Sequence, residues 1–402
     1  MGARIALLKT ITLLGSTGSI GTSTLDVVRR NRDQFRIHAL VAGQNTELLV
    51  QQIQEFRPRV AVVATPDARK DLTIGLGAAN LPRSEWPELL YGAAGRVKAA
   101  TDSTVDFVLS AIVGVAGLEA TFEAIRRGKT IGLANKEVLV ASGSIVMNAS
   151  REAGATIIPV DSEHNGAHQC LRAGQRKEAL KLILTASGGP FRDTPASELA
   201  SVSPRQALNH PTWKMGPRIT VDSATLMNKG FEVIEACWLF DFSPNDVEVV
   251  IHPQSTVHAL VEFCDGSVVA QVCATDMRMP IQYAMTYPDR ADAPVPRLDW
   301  QQARQWEFYP PDFEKFPLLK LAYEAQQTGG SATCVLNAAD EVAVDAFLRE
   351  QIPFPAIAEV VTETLSRVPV RTPASIADVL ESDMEARAAA TDCVRQRAAV
   401  RA

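Results

Sequence analysis

The first 160 residues alternate short apolar runs with helix-like segments, and this alternation narrows the fold more than any other feature of the chain. The apolar runs cover residues 11–14, 37–42, 60–64, 105–109, 130–133 and 155–160, and segments such as 47–56, 118–127 and 137–153 separate most of them. Short apolar strands divided by helices predict a parallel, doubly wound sheet, whose ligands bind beyond the carboxyl ends of the strands. The first run enters Gly15-Ser16-Thr17-Gly18-Ser19-Ile20-Gly21, after which Leu25, Val27 and Val28 begin a helical pattern. Strand, glycine turn and helix together form a cradle for a pyrophosphate, with backbone N–H groups and a helix N-terminus facing the anion. The spacing is GxxGxxG rather than GxGxxG, so an ordinary glycine-rich turn competes with a cofactor site at Thr17, Gly18, Ser19 and Ile20.

The second strand ends at Gly43-Gln44-Asn45, where an NAD enzyme usually places an acid on the ribose 2′-hydroxyl. No acid stands there, although Glu47 is close, which tilts the reading toward NADP without supplying a basic residue for a 2′-phosphate. Further on, Asn135-Lys136-Glu137 closes a strand and opens a helix. Lys136 there reaches a cofactor or substrate, or is a surface lysine in a first helical turn.

A formal net charge of −6 and a pI near 5.7 leave no electrostatic footprint for nucleic acid. The six cysteines, Cys170, Cys237, Cys264, Cys273, Cys334 and Cys393, are scattered without a CxxC pair and read as free thiols. Lys9 interrupts the only leader-like stretch, residues 4–8, and the longest apolar run, residues 107–118, falls short of the roughly 20 residues that span a bilayer. A cytoplasmic protein of two or three domains, with no membrane association, is the expectation.

Chemistry begins at Asp161-Ser162-Glu163. If the preceding run continues as a strand, the two carboxylates point to the same side. They read as a solvated strand end, an acid/base pair or ligands of a hard cation. A third carboxylate is available at Asp222, Glu232 or Glu235, and spacing does not choose among them. Downstream, Ser187-Gly188-Gly189 permits close approach to an anion or forms a tight turn. The loop Asn209-His210-Pro211-Thr212-Trp213-Lys214-Met215-Gly216-Pro217 carries large apolar residues that either pack inward or close over something. Ser223 suits a helix N-cap, and Asn228, Glu232 and Glu235 share one helical face with Lys229 alongside. Residues 257–264 and 267–273 flank Asp265-Gly266, a hairpin signal.

Taken together, GSTGSIG, LANKE, PVDSEHN, SGGPF, HPTWKMGPRITVDSATLMNKGFE, HPQSTVHALVEF and DMRMPIQYA closely resemble the 1-deoxy-D-xylulose 5-phosphate reductoisomerase family. The likeness runs in order from about Ile11 to Pro288. It implies NADPH-dependent conversion of 1-deoxy-D-xylulose 5-phosphate to 2-C-methyl-D-erythritol 4-phosphate in the non-mevalonate isoprenoid pathway. It also implies a metal site of Asp161, Glu163 and Glu232 for Mg²⁺ or Mn²⁺, with Co²⁺ as an alternative. Catalytic roles fall on Lys136, Glu163 and Glu232. Substrate contacts fall on Lys136, Ser162, Glu163, Ser187, His210, Trp213, Ser223, Asn228, Lys229 and Glu232, with Trp213 and Met215 in a closing flap. Cofactor contacts fall on Thr17, Gly18, Ser19, Ile20, Gly43, Gln44, Asn45, Asn135, Lys136, Glu137, Gly216 and Met277. The chain departs from the family pattern at Gln44, where relatives often carry a basic residue, at Gly166-Ala167-His168, and at Thr275.

The resemblance makes the residue types intelligible: a divalent ion acts as Lewis acid while the sugar skeleton rearranges, and the hydride reduces the resulting branched aldehyde. The partners it implies are a phosphorylated sugar and a second copy of the chain in a homodimer. The organisation expected is an α/β fold. A Rossmann-like NADPH-binding domain covers residues 1–160, an α+β catalytic domain 161–292, a linker 293–312 and a C-terminal helical bundle 313–402. The competing readings are a metal-independent NADP dehydrogenase of another aldehyde or ketone, which would not need the carboxylate trio, and a non-catalytic nucleotide-binding regulator, which would not need the phosphate-binding set.

Overall fold

The computed structural model describes residues 8–213 and 215–401. The leader-like stretch therefore lies outside the described residues up to Leu8. In chain order the first elements are β1 (Lys9–Leu14), α1 (Ser19–Arg30), β2 (Phe35–Val41), α2 (Thr46–Phe56), β3 (Val60–Val63), α3 (Pro66–Ala78), β4 (Glu88–Tyr91) and α4 (Gly92–Thr101). There follow β5 (Phe107–Ser110), α5 (Leu118–Arg126), β6 (Thr130–Leu133), α6 (Glu137–Ala153), β7 (Thr156–Pro159), α7 (Ser162–Leu171), β8 (Ala179–Ala186), α8 (Pro204–Ala207), α9 (Pro217–Ala224) and α10 (Met227–Phe240). The chain continues through β9 (Val247–Ile251), β10 (Val257–Phe263), β11 (Val268–Val272), α11 (Arg278–Thr286), α12 (Pro317–Thr328), α13 (Ala332–Leu348), α14 (Ala356–Arg367) and α15 (Ile376–Arg401).

These elements form two compact units. One holds the chain up to Val138 together with Val146–Asn165 and Asp276–Pro296, and the other holds Leu139–Ile145, Gly166–Thr275 and the chain from Arg297.

The first unit is built on the expected parallel sheet, of order β4-β3-β2-β1-β5-β6-β7. Helices cover both faces, so its central strands are apolar without alternation: Ile11, Leu13, Leu14, Phe107, Val108 and Leu109 are fully buried. The order reverses at β1, which pairs with β2 on one side and β5 on the other, and this is where such sheets open a ligand crevice. The loops leaving β1 and β5 touch there. Gly15 has φ +94°, and a Cβ on it would lie 2.5 Å from the Ala111 carbonyl oxygen, so no other residue fits. Helix α11 returns to this unit late in the chain, burying Ile281, Tyr283, Ala284 and Met285 in the same core. Its position is fixed by the Arg278–Asp26 ion pair at 3.0 Å and by Lys9 Nζ donating to the Met285 carbonyl at 2.5 Å.

The second unit contains a four-stranded sheet of order β11-β10-β8-β9, with β8 and β9 parallel and the other pairs antiparallel. The expected hairpin is β10–β11, with Gly266 at φ +83° and the Asp265 carboxylate accepting from the Ser267 amide at 2.9 Å. Helix α10 lies against this sheet, and the expected C-terminal helices are α12 to α15. Among them α13 is buried along most of its length, from Ala332 to Phe347. The Leu139–Ile145 segment of α6 also belongs here, and the helix is broken at Ser142, where φ is −142°. A Cβ on neighbouring Gly143 would lie 2.3 Å from the Trp238 indole nitrogen, so the glycine admits a direct backbone-to-ring contact.

Candidate functional site

In the first unit, the candidate cofactor residues line the carboxyl edge. Gly18 takes the N-cap position of α1 and is exposed with Ser19, while Thr17 and Ile20 are half-buried. The first turn of α1 carries no acid and no side-chain cap, so its backbone N–H groups and positive dipole end are open to an anion. Gly43, Gln44 and Asn45 form an exposed turn after β2, and Asn45 Oδ1 accepts from the Leu48 amide as the cap of α2. Asn135 is buried beyond β6. Its Nδ2 donates to the Gly114 carbonyl at 3.0 Å, and its Oδ1 meets no donor among the described residues. A buried acceptor without a donor fits a ligand carrying an N–H or O–H. Met277 is half-buried against the core of this unit, at the N-cap position of α11.

Lys136 occupies the N-cap position of α6, with Glu137 buried beside it. Its ammonium lies 2.5 Å from Asp161 Oδ2. Burial pushes the Asp161 carboxyl up, but the charges of Lys136 and His164 outweigh it and hold that carboxyl well below the usual range. Asp161 and Glu163 present ligand oxygens within 4.8 Å of each other, and Ser162 Oγ donates to Glu163 Oε2 at 2.6 Å. The two carboxylates are not on a strand, however. Strand β7 ends at Pro159, Glu163 lies in the first turn of α7, and the Asp161 carbonyl accepts from the Asn165 amide at 2.8 Å. They converge because a helix starts there, not through strand alternation.

His164 was not among the candidate residues, yet it is fully buried and its ring faces Asp161. The signal was its place three residues along a helix from Asp161, which becomes visible only once the segment is known to be helical.

In the second unit, β8 runs into Ser187-Gly188-Gly189, with both glycines at positive φ. A Cβ on Gly189 would lie 2.5 Å from the Ser223 carbonyl oxygen, so this turn is a close backbone approach as well as a turn. His210 Nε2 lies 3.0 Å from Ser187 Oγ and 3.1 Å from Ser223 Oγ, which brings the three together. His210 Nδ1 accepts from the amides of Thr212 and Trp213 at 3.1 and 2.9 Å. That ring nitrogen is therefore unprotonated, Nε2 carries the proton, and burial lowers the His210 pKa further from the charged form. Trp213 and Met215 are half-buried in a loop whose Pro211 and Gly216 are exposed, and Gly216 takes the N-cap position of α9.

Ser223 is not an N-cap. It lies in the last turn of α9, and the position before α10 is held by Leu226 at φ +61°. The expected polar face of α10 is present: Asn228 Nδ2 donates to Glu232 Oε1 at 2.6 Å, and Lys229 Nζ pairs with Glu232 Oε2. Glu232 is fully buried, so the ammonium and amide balance a carboxylate that has left water. Glu235, one turn on, is buried as well.

The first unit thus has the architecture of a dinucleotide-binding enzyme domain, and the second carries a hydroxyl–imidazole cluster suited to an oxyanion. Comparison with known proteins specifies this further. Residues 11–143 match the family model for 1-deoxy-D-xylulose 5-phosphate reductoisomerase, and residues 157–240 and 272–389 match models of C-terminal domains from the same enzyme. A 1-deoxy-D-xylulose 5-phosphate reductoisomerase from Solibacter usitatus (strain Ellin6076) is 69% identical over 392 residues, covering 98% of this chain and 99% of the relative. The enzyme from Zymomonas mobilis, solved with NADPH, is 43% identical with a TM-score of 0.88, over 96% of this chain and 98% of that one. A reductoisomerase solved with NADPH, fosmidomycin and magnesium is 40% identical with a TM-score of 0.89, over the same shares. The chain belongs to the 1-deoxy-D-xylulose 5-phosphate reductoisomerase family.

Proposed function

We propose that the protein converts 1-deoxy-D-xylulose 5-phosphate to 2-C-methyl-D-erythritol 4-phosphate with NADPH and a divalent cation, Mg²⁺ or Mn²⁺. The observation that carries this reading is the pairing of Lys136 with Asp161 beside Glu163, in a chain 69% identical to a named reductoisomerase. Asp161, Glu163 and Glu232 would hold the cation, and their oxygens are the donors such ions take. Two of these carboxylates pair with a buried ammonium, Lys136 with Asp161 and Lys229 with Glu232, which offsets the cost of taking their charge out of water. The cation supplies Lewis-acid polarisation of the ketone and its neighbouring hydroxyl, and NADPH supplies the hydride.

The chain's own residues bind and orient. The open N-terminus of α1, with Thr17, Gly18, Ser19 and Ile20, takes the pyrophosphate, Gly43, Gln44 and Asn45 face the adenosine ribose, and Asn135, Glu137, Gly216 and Met277 complete the cofactor contacts. Ser187, His210, Ser223, Asn228 and Lys229 take the substrate phosphate and hydroxyls, since His210 Nε2 and the serine hydroxyls are all donors to an oxyanion. Lys136 and Ser162 orient the reacting end beside Glu163. Trp213, whose amide donates to His210 Nδ1, and Met215 nearby in the same loop shield a reactive aldehyde from water. By the same family reading, residues 1–160 bind NADPH, 161–292 carry catalysis and 313–402 support them, and the chain works as a cytoplasmic homodimer. No helix among the described residues is long and apolar enough to cross a membrane.

The test is NADPH oxidation with 1-deoxy-D-xylulose 5-phosphate, with Mg²⁺ or Mn²⁺ and with chelator. Turnover with metal that stops on chelation is the expected result. Turnover surviving complete metal removal would remove the cation from the reading, and no turnover with metal would overturn the activity.

A further inference from the structure

Ser223 shares α9 with Arg218 and Asp222. At eight residues α9 is too short to hold itself, so its position is set by what it touches. Arg218 provides the anchor to α13: Nη1 donates to Glu341 Oε1 at 2.7 Å and Nη2 to Asn337 Oδ1 at 2.9 Å. The same guanidinium lies 3.7 Å from Asp222 Oδ2 and 3.9 Å from Asp340 Oδ2. From α15, Arg387 donates to Glu341 Oε2 at 2.6 Å and pairs with Asp383, also at 2.6 Å.

The charges around Asp340 do not balance if every carboxyl is ionised. Arg218 and Arg387 face Asp222, Asp340, Glu341 and Asp383, two cations against four acids. Asp340 is the deepest of these, fully buried. Neither of its oxygens receives a bond from an N–H or hydroxyl donor among the described residues, and the guanidinium it shares with Asp222 stays 3.9 Å away. A carboxyl this deeply buried without a donor on either oxygen is held neutral, because nothing replaces the water its charge would need. Burial first, then the Asp222 charge, hold the Asp340 pKa well above its ordinary value, in agreement with that geometry.

We propose that Asp340 is a positioning residue for the phosphate end of the substrate pocket. Its carboxyl carries a proton beside Arg218 and Asp222, so that α13 holds α9, and Ser223 with it, against the Ser187–Gly189 turn without a second charge behind Ser223. The inference rests on the reading that Ser187, His210 and Ser223 take the phosphate. Loss of that proton at alkaline pH sets two carboxylates around one guanidinium, next to Ser223, pushing α9 away and repelling a phosphate dianion.

The experiment measures kcat and KM for 1-deoxy-D-xylulose 5-phosphate from neutral to alkaline pH, and the affinities for that sugar phosphate, for 1-deoxy-D-xylulose and for NADPH. It compares the unmodified enzyme with Asp340→Asn and Asp340→Leu. For the unmodified enzyme, KM should rise toward alkaline pH. Asp340→Asn, which keeps shape and one N–H donor, should hold KM within about twofold at neutral pH and flatten that rise. Asp340→Leu should raise KM about tenfold, the scale of one lost polar contact, with kcat and NADPH affinity within about twofold. If the unmodified enzyme binds the unphosphorylated sugar equally well, the phosphate reading fails. If it prefers the phosphate but Asp340→Asn keeps the alkaline rise, the role of Asp340 is overturned, and that comparison decides even if Asp340→Leu does not fold.

Discussion

Lys136 Nζ and Asp161 Oδ2 lie 2.5 Å apart, joining the cation that opens α6 to the carboxylate that follows β7. Both side chains are largely removed from water, 7% and 14% exposed, so neither charge is screened as a surface pair would be. Removing one partner strands the other. Lys136→Met should lower stability at neutral pH by about 3 kcal/mol and reduce turnover at least a hundredfold. The sign with pH follows from the depressed Asp161 carboxyl. Its stabilisation is present above the unfolded value of 3.8 and is lost as pH falls through the folded one, so the variant loses a contribution held at neutral pH. Urea unfolding of both proteins across the acid range checks this, and equal stability at pH 7 would contradict it.

Ser187 and Ser223 both lie within hydrogen-bond reach of His210 Nε2. A hydroxyl donor to a dianion contributes roughly 1.5–3 kcal/mol, so Ser187→Ala and Ser223→Ala should each raise KM for the phosphorylated substrate about ten- to hundredfold. NADPH affinity, measured by cofactor fluorescence, should change little. A large loss of NADPH affinity in either variant would place the serine elsewhere in the mechanism.

His168 gives a second pH signature, independent of the site. Burial, and then the charge of Arg172, lower its pKa from 6.5 to about 4. The unfolded chain therefore takes up a proton near pH 6.5 that the folded chain refuses until about pH 4. Stability falls as pH drops through that window and levels off below it, by about 2 kcal/mol after screening. His168→Gln should flatten this segment of the stability curve, measured by denaturant titration at fixed pH values. An unchanged slope between pH 6.5 and 4 would contradict the assignment.

The sheet was legible because its central strands are buried on both faces, so that apolar residues stand side by side, as in Leu13-Leu14 and Phe107-Val108-Leu109, instead of alternating with exposed polar ones. Strand β4 was not: Glu88–Tyr91 sits at the sheet edge, half-exposed, and lacks that run. The glycine loop declared itself through Gly15, whose φ no other residue tolerates at that contact. Asp161 and Glu163 were recognisable as a pair, but their helical setting was hidden because a two-residue spacing fits a strand end equally well. Ser223 looked like a cap because serine before a helical pattern usually is one, whereas a left-handed Leu226 starts α10. The choice of Glu232 over Asp222 came from family likeness and not from spacing. Arg218 brings Asp222 and Asp340 to one guanidinium although they lie far apart in the sequence, and no local pattern announces it.

The proposed ligand set Asp161, Glu163 and Glu232 is tested most directly by Mn²⁺ binding, followed by electron paramagnetic resonance, in the unmodified protein and in Glu232→Gln. Removing one carboxylate ligand should weaken Mn²⁺ affinity about a hundredfold while leaving NADPH affinity within about twofold. Unchanged Mn²⁺ affinity in Glu232→Gln, with the protein folded and binding NADPH, would contradict Glu232 as a ligand.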